Sequence, residues 1–276
     1  MTDPKPIDVA AFKQFERSGW TDVANNYLDA FTLLTTQAVE PLLDAAGVAP
    51  GRRVLDVACG PGFMTAAAAR RGALATGVDF ASTMVELARR LTPGVRFEEG
   101  DAEALPFADH SFDAVVIGFG MLHFGDPDRA LAEAHRVLAS GGRVAFTVWA
   151  EPAEAIPFGI ITRAIETHGS LDVPLPPGPP FFRFSDFVES ARTLAAAGFR
   201  EARVTKLPLV WRLPTADAVF EAMWNAGVRT RGVLRAQTPE ALERIHAAIR
   251  EGALAYRKGG EFEFPMPAVM STAMKG

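Results

Sequence analysis

Residues 54–62, VLDVACGPG, constrain the fold of this chain more than any other stretch. Val54, Leu55 and Val57 make the short apolar run of a buried parallel strand. Asp56 interrupts the run, and a carboxylate in a buried strand needs partners. Gly60, Pro61 and Gly62 then turn the chain sharply and leave no side chain in the way. The Ala-rich residues 65–71 after them favour helix. A strand, a glycine turn and a helix N-terminus together form a cradle for the polar part of a nucleotide-like ligand. The competing reading is an ordinary strand-to-helix turn, and the later strand ends decide between them.

From residue 52 to 149 the sequence alternates strand and helix. Strands are expected over 53–58, 73–79, 95–100, 113–118 and 142–149, and helices over 64–71, 82–91 and 128–138. This alternation predicts a parallel sheet with helices on both faces. Ligands on such sheets sit at the C-terminal strand ends, so the residues just after each strand are the informative ones. After the second strand comes GVDF, whose Asp79 lies 19 residues past Gly60 (79 − 60). That matches the roughly 20-residue spacing of a carboxylate that takes ribose hydroxyls. Such a group accepts from both hydroxyls of a diol; the competing role for Asp79 is to cap the next helix, which Ser82 also offers to do. After the third strand comes GDAEALPF, where Asp101 suits an adenine amino group and Ala102 offers a backbone N–H. After the fourth comes IGFGMLHF, where Gly118 and Gly120 let backbone approach a ligand closely.

Taken together, these motifs resemble the class I S-adenosylmethionine-dependent methyltransferases, in particular the small-molecule branch related to ubiquinone and menaquinone biosynthesis. The resemblance covers residues 52–149 and includes SFDAVVIGFGMLHF and RVLASGGRVAFTVW as fourth and fifth strands with their flanks. It implies an α/β fold: a Rossmann-like, seven-stranded, mostly parallel sheet with an antiparallel last strand. It implies S-adenosylmethionine as cofactor, with no metal. Asp56, Ala58, Gly60 and Gly62 would bind its methionine end, Asp79 and Phe80 the ribose side, and Asp101 and Ala102 the adenine. Gly118 would lie beside the methionine moiety through its backbone. Tyr27, in ANNYLDAF, matches a helical-cap tyrosine that reaches the cofactor carboxylate in many such enzymes. Two positions depart from the family pattern. Ala58 stands where the first glycine of the turn is usual, and Gly118 stands where many relatives have asparagine.

Residues 1–50 read as a helical cap, with a loose Pro-containing start up to about residue 11 and helices over 12–46. Residues 51–150 read as the cofactor-binding core. Residues 151–276 supply the rest of the sheet, with helical lid insertions at 151–197 and 214–260, as part of the same domain. A helix is expected over 151–170, a stiff crossing loop at PLPPGPP (174–180), and a helix over 186–197 ending at Gly198. A strand is expected over 201–213, helices over 219–256, and a final antiparallel strand over 262–274 with a frayed start at Pro265 and Pro267. Trp20, Phe182 and Trp224 are candidate substrate contacts, core packing being the competing reading for each.

Methyl transfer from a sulfonium needs alignment and desolvation first. A base is needed only where the acceptor must lose a proton. His123 is the candidate base, the alternative being a histidine that hydrogen-bonds loop backbone. His168 and His246 fall in helical stretches and read as solvent-facing. Cys59, the chain's one cysteine, leaves no intrachain disulfide and no multi-cysteine zinc site. No His, Cys or carboxylate cluster has metal-ligand spacing. The formal net charge of −5 disfavours a nucleic-acid partner, and no apolar run is long enough for a bilayer. The first residues lack a basic-then-apolar export pattern. The expectation is a cytoplasmic, small-molecule methyltransferase, monomeric or homodimeric. A nicotinamide-dependent oxidoreductase is the alternative enzyme, but the third glycine of its G-x-G-x-x-G motif falls on Thr65. A non-catalytic regulatory protein binding the same cofactor is the other alternative.

Overall fold

The structure, a computed structural model, describes residues 7–276; part of the loose N-terminal start therefore lies outside the described residues. In chain order the elements are α1 (Val9–Thr35), α2 (Val39–Ala45), β1 (Arg53–Val57), α3 (Phe63–Arg70), β2 (Leu74–Asp79), α4 (Ser82–Leu91), β3 (Arg96–Glu99), β4 (Phe112–Gly118), α5 (Pro127–Val137) and β5 (Leu138–Trp149). They continue with α6 (Ile156–His168), α7 (Phe187–Ala196), β6 (Phe199–Leu207), β7 (Val210–Leu213), α8 (Ala218–Ala226), α9 (Val228–Arg235), α10 (Pro239–Leu254), β8 (Arg257–Lys258), β9 (Glu261–Pro265) and β10 (Ala268–Lys275).

Seven strands form one sheet in the order β3-β2-β1-β4-β5-β10-β6. The pairs from β3 to β5 are parallel, and β10 runs antiparallel to both β5 and β6. The strand order reverses between β1 and β4, which is where a sheet of this kind opens a crevice. Strand periodicity sorts the core into two faces. Val115 and Ile117 of β4 face one apolar layer, with Leu55, Val144 and Phe146. Ala114 and Val116 face the other, with Val54, Met64, Ala67 and Leu42.

Two stretches expected as single strands each divide between two sheets. The first breaks at Pro208, leaving β6 in the main sheet and β7 in a second sheet of order β7-β9-β8. The other breaks at Met266–Pro267, with β9 in the small sheet and β10 in the main one. Proline has no N–H for the ladder, so the strands part there. The small sheet carries Trp211, buried and stacked on Phe31 of α1 at 5.3 Å, its Nε1 donating to the Ala30 carbonyl at 3.3 Å.

Helix α1, 27 residues and so about 40 Å long, crosses over the sheet edge. It packs against α4, α8, α9 and β7. A Cβ on Gly19 would lie 2.2 Å from Val228 Cγ1, so α1 and α9 approach at a point only glycine allows. The proline loop seals the other side, where Gly178 lies so close to the Phe12 ring that a Cβ would sit 2.1 Å from it.

Candidate functional site

Under α1, at the C-terminal ends of β1, β2 and β4, lies a cavity of about 1170 Å³ of empty space, its mouth included. One wall is polar and made by the sheet edge. The opposite wall is aromatic.

The polar wall begins where β1 ends. Ala58 has φ 55° and Gly60 has φ 51°, so the chain turns through the left-handed region twice within three residues. This costs a non-glycine residue such as Ala58 about 1 kcal/mol, and backbone strain of this kind collects at ligand sites. Nothing stands within 4 Å of a Cβ built on Gly60, which leaves its backbone open. Asp79, at the end of β2 and 6% exposed, ties this turn down. Its Oδ2 accepts from the Gly60 N–H at 2.8 Å and its Oδ1 from the Ala81 N–H at 2.9 Å. The N-cap of α4 is Ala81, with no side-chain cap, so neither Asp79 nor Ser82 caps that helix. Two of the roughly four acceptor positions of the carboxylate are thereby used. Burial pushes the Asp79 carboxyl above its ordinary range, against the pull of the Ala81 and Gly60 N–H groups.

Further along the wall, Asp101 Oδ1 accepts from the Glu103 N–H at 3.0 Å, and its Oδ2 pairs with Lys13 of α1. Lys13 also donates to Glu103 at 3.0 Å. Partial burial opposes the Lys13 charge, but these two carboxylates hold its pKa above the usual lysine range. Glu103 in turn accepts from Gly125 and Asp126 at 2.9 and 3.0 Å. Phe80, Ala102, Gly118 and Gly120 complete this side. After Gly118 the chain turns left-handed again at Phe119, φ 57°, whose ring stacks on Trp149 with centroids 4.0 Å apart.

The aromatic wall comes from α1, α6, the proline loop and α8. Trp20, Tyr27, Phe31, Phe158, Phe181 and Met223 line it. Tyr27 donates its hydroxyl to Thr35 Oγ1 at 3.3 Å. Where the walls meet stands His123, in a short 3₁₀ turn after β4. Its Nδ1 is 3.0 Å from Glu16 Oε2, and Trp20 Nε1 donates to the same oxygen at 3.1 Å. Glu16 is 1% exposed, so α1 delivers a buried carboxylate to the rim of the cavity.

The structure thus brings Trp20, Tyr27, Ala58, Gly60, Asp79, Phe80, Asp101, Ala102, Gly118 and His123 to one cavity. It does not bring Asp56, Gly62, Phe182 or Trp224 to its wall. Asp56 shares its sheet face with Val54, turned toward α3, where Thr65 Oγ1 donates to it at 2.6 Å. Gly62 packs inward, since a Cβ there would lie 2.7 Å from the Phe97 ring. Phe182 sits edge-on to Phe158 and Phe181, and it is Phe181 that reaches the cavity. Trp224 stacks on Phe220 with Arg235 over its face. Cys59 is buried, and burial together with the Asp79 and Asp56 carboxylates pushes its thiol well above the usual range, so it stays protonated. His246 is not simply solvent-facing: it stacks on Phe220 at 4.1 Å and its Nε2 lies 2.8 Å from Asp217. Sequence reasoning missed Lys13, Glu16, Phe119, Trp149 and Phe158. Among the described residues no helix is long and apolar enough to cross a membrane, and no three His, Cys, Asp or Glu side chains gather as they would around a metal ion.

Comparison with known proteins adds three findings. Residues 55–146 match a family described as a methyltransferase domain. The chain is 39% identical over 154 residues to a demethylmenaquinone methyltransferase of Renibacterium salmoninarum, covering 54% of this chain and 62% of that protein. It therefore spans less than two thirds of that relative's length. Among solved structures, the YcgJ protein of Bacillus subtilis superposes with a TM-score of 0.55 at 22% identity, covering 87% of this chain and 98% of that one. A Haemonchus contortus phosphoethanolamine N-methyltransferase, solved with phosphomonomethylethanolamine and S-adenosylhomocysteine, gives 0.58 at 19% identity, covering 98% of this chain and 61% of that one. At those identities the structures establish a shared fold: the mostly parallel seven-stranded sheet with one antiparallel strand.

Proposed function

We propose that this protein, whose residues 55–146 match a methyltransferase domain, moves a methyl group from S-adenosylmethionine to a small aromatic or apolar acceptor. The observation that carries the reading is the single cavity in which a strained glycine turn and the buried Asp79 face a wall of aromatic rings. When bound, the donor supplies a sulfonium methyl already activated for displacement. The chain's own residues do the rest.

Asp79 spends two acceptor positions on Gly60 and Ala81 and keeps two for a ribose diol. The turn at Ala58 and Gly60 offers open backbone to the methionine end, where Tyr27 exchanges its Thr35 contact for the carboxylate. Ala102 and Asp101 receive the adenine, with Lys13 holding Asp101 in place. Gly118 lets the chain pass close to the reacting centre. The aromatic wall excludes water and holds the acceptor in line, which is the main source of rate in such a displacement. The name of the Renibacterium relative makes a ring of the quinone or hydroquinone kind the first acceptor to try. We place the protein in the cytoplasm, acting on a small molecule rather than on nucleic acid.

The test is thermal shift with S-adenosylmethionine, S-adenosylhomocysteine and NAD. The first two raise the melting temperature, because a ligand that binds only the native state stabilises it; NAD leaves it unchanged. Asp79→Ala abolishes the shift. Unchanged donor binding by that variant removes the ribose assignment, and stabilisation by NAD alone overturns the proposed reaction.

A further inference from the structure

Resting on the methyl-transfer reading, we infer that Glu16 positions His123 as a general base, and that the acceptor is an aromatic hydroxyl methylated on the oxygen that loses its proton. Glu16 lies on α1 and His123 after β4, 107 residues apart, yet Glu16 Oε2 is 3.0 Å from His123 Nδ1. A carboxylate buried to 1% exposure without partners would be costly. Here two N–H donors, Trp20 Nε1 and His123 Nδ1, hold the one oxygen. The pairing places the imidazole proton on Nδ1, because a carboxylate only accepts. Nε2 makes no hydrogen bond among the described residues and carries the ring's lone pair. His123 lines the cavity, so that lone pair belongs to the space the acceptor fills.

The ring is also held by packing. Trp20 meets it edge-on at 4.8 Å and Phe181 at 6.0 Å, both at near-perpendicular angles. A histidine packed against two aromatic rings, with its tautomer set by a buried carboxylate, is arranged to take a proton. In the step, the hydroxyl proton moves to His123 Nε2. The oxygen's electron pair forms the new bond to the methyl carbon as the carbon–sulfur bond breaks, that pair leaving on sulfur. The sulfonium charge is lost at the donor, and the imidazolium formed is balanced by Glu16.

The tautomer is read directly from nitrogen-15 histidine spectra of the whole protein. The wild type shows His123 protonated on Nδ1 and bare on Nε2 when neutral; a bare Nδ1 overturns the proposal. Turnover is followed with labelled donor on a panel of phenols, naphthols and hydroquinones, each paired with its fully O-methylated ether. Hydroxyl members are converted to O-methyl products and the ethers are not. Methyl found on ring carbon, or no hydroxyl member converted, overturns the proposal. Glu16→Gln lowers kcat about 10-fold or more, with KM changed less than about 3-fold, and His123→Asn lowers it about 100-fold. His123→Asn loses the rise of kcat with pH on the acid side, and Glu16→Gln keeps it but displaces it to lower pH, because the imidazolium has lost its partner carboxylate; a packing defect would leave it in place. Thermal shift by S-adenosylmethionine is retained in both. Should Glu16→Gln not fold, Glu16→Asp and the wild-type spectra decide. Absence of donor binding by the wild type would overturn the methyl-transfer reading and this proposal together. Donor binding with kcat of Glu16→Gln within 2-fold of wild type would overturn this proposal alone.

Discussion

Asp56 and Asp79 illustrate how differently two carboxylates on neighbouring strands are used. Asp79 projects from a strand end and meets the backbone N–H groups of Gly60 and Ala81, while Asp56 sits one residue inside its strand and turns toward α3. Burial pushes the Asp56 carboxyl up to about 7, against the Thr65 hydrogen bonds that pull it down. The ordinary value is 3.8, so between these two values the native chain keeps a proton that the unfolded chain releases. Its contribution to stability is complete below the lower value and is lost as pH rises through the upper one. Asp79 shifts in the same direction and adds to the trend. Asp56→Asn keeps an oxygen for Thr65 but cannot ionise. Its melting temperature accordingly falls less between pH 5 and 8 than that of the wild type, and at pH 8 it is at least as stable. Scanning calorimetry across that range checks both statements. Asp79 was legible in the sequence because its spacing from Gly60 is a local quantity. Glu16 was not, because a glutamate on a helix reads as a solvated face until the helix is placed against His123.

At the scale of elements, α1 is the part that turns a sheet edge into an enclosed site. It is held by Lys13 to Asp101 and Glu103, by Glu16 to His123, and by the stacking of Phe31 on Trp211. Its contact with α9 depends on Gly19. Alanine there gains about 1 kcal/mol in helix propensity, but its Cβ meets Val228 at 2.2 Å. The expected net result is a loss of about 1–3 kcal/mol from overpacking. Val228→Ala in the same chain recovers most of it, and a double-mutant cycle in urea measures the coupling. The alternating core could be read from periodicity because each strand there lies between its own helices. The two strands that change sheets could not. Pro208 and Pro267 announce a break, but the identity of the strand on the far side is set by pairing between segments some 50 residues apart, as in β7 with β9. Phe181 and Phe182 show the same limit, since only the path of the loop decides which ring faces the cavity.

Over the whole molecule, β10 joins the antiparallel edge to the parallel core. Lys275 at its end donates to the carbonyls of His135 at 2.6 Å and Leu138 at 2.7 Å, closing the C-terminus of α5. Burial lowers the pKa of this ammonium, yet a cation at a helix C-terminus is favoured by the exposed carbonyls. Lys275→Met removes the donor from both carbonyls, of which Leu138 keeps a contact with His110 Nδ1 at 3.1 Å, at a cost of about 1–3 kcal/mol. The melting temperature drops by several degrees, and the shift produced by S-adenosylmethionine is unchanged, because no part of β10 lines the cavity. The cavity itself divides along the chain. Its polar wall falls within residues 55–146, the segment that matches the methyltransferase domain, apart from Lys13. Its aromatic rings come mainly from residues 20–31 and 149–181, and residues 223–230 close that side with Met223, Val228 and Arg229. On the proposed function, exchange of sequence in the flanking stretches alone would alter which acceptor the cavity takes while leaving the wall assigned to the donor as it is.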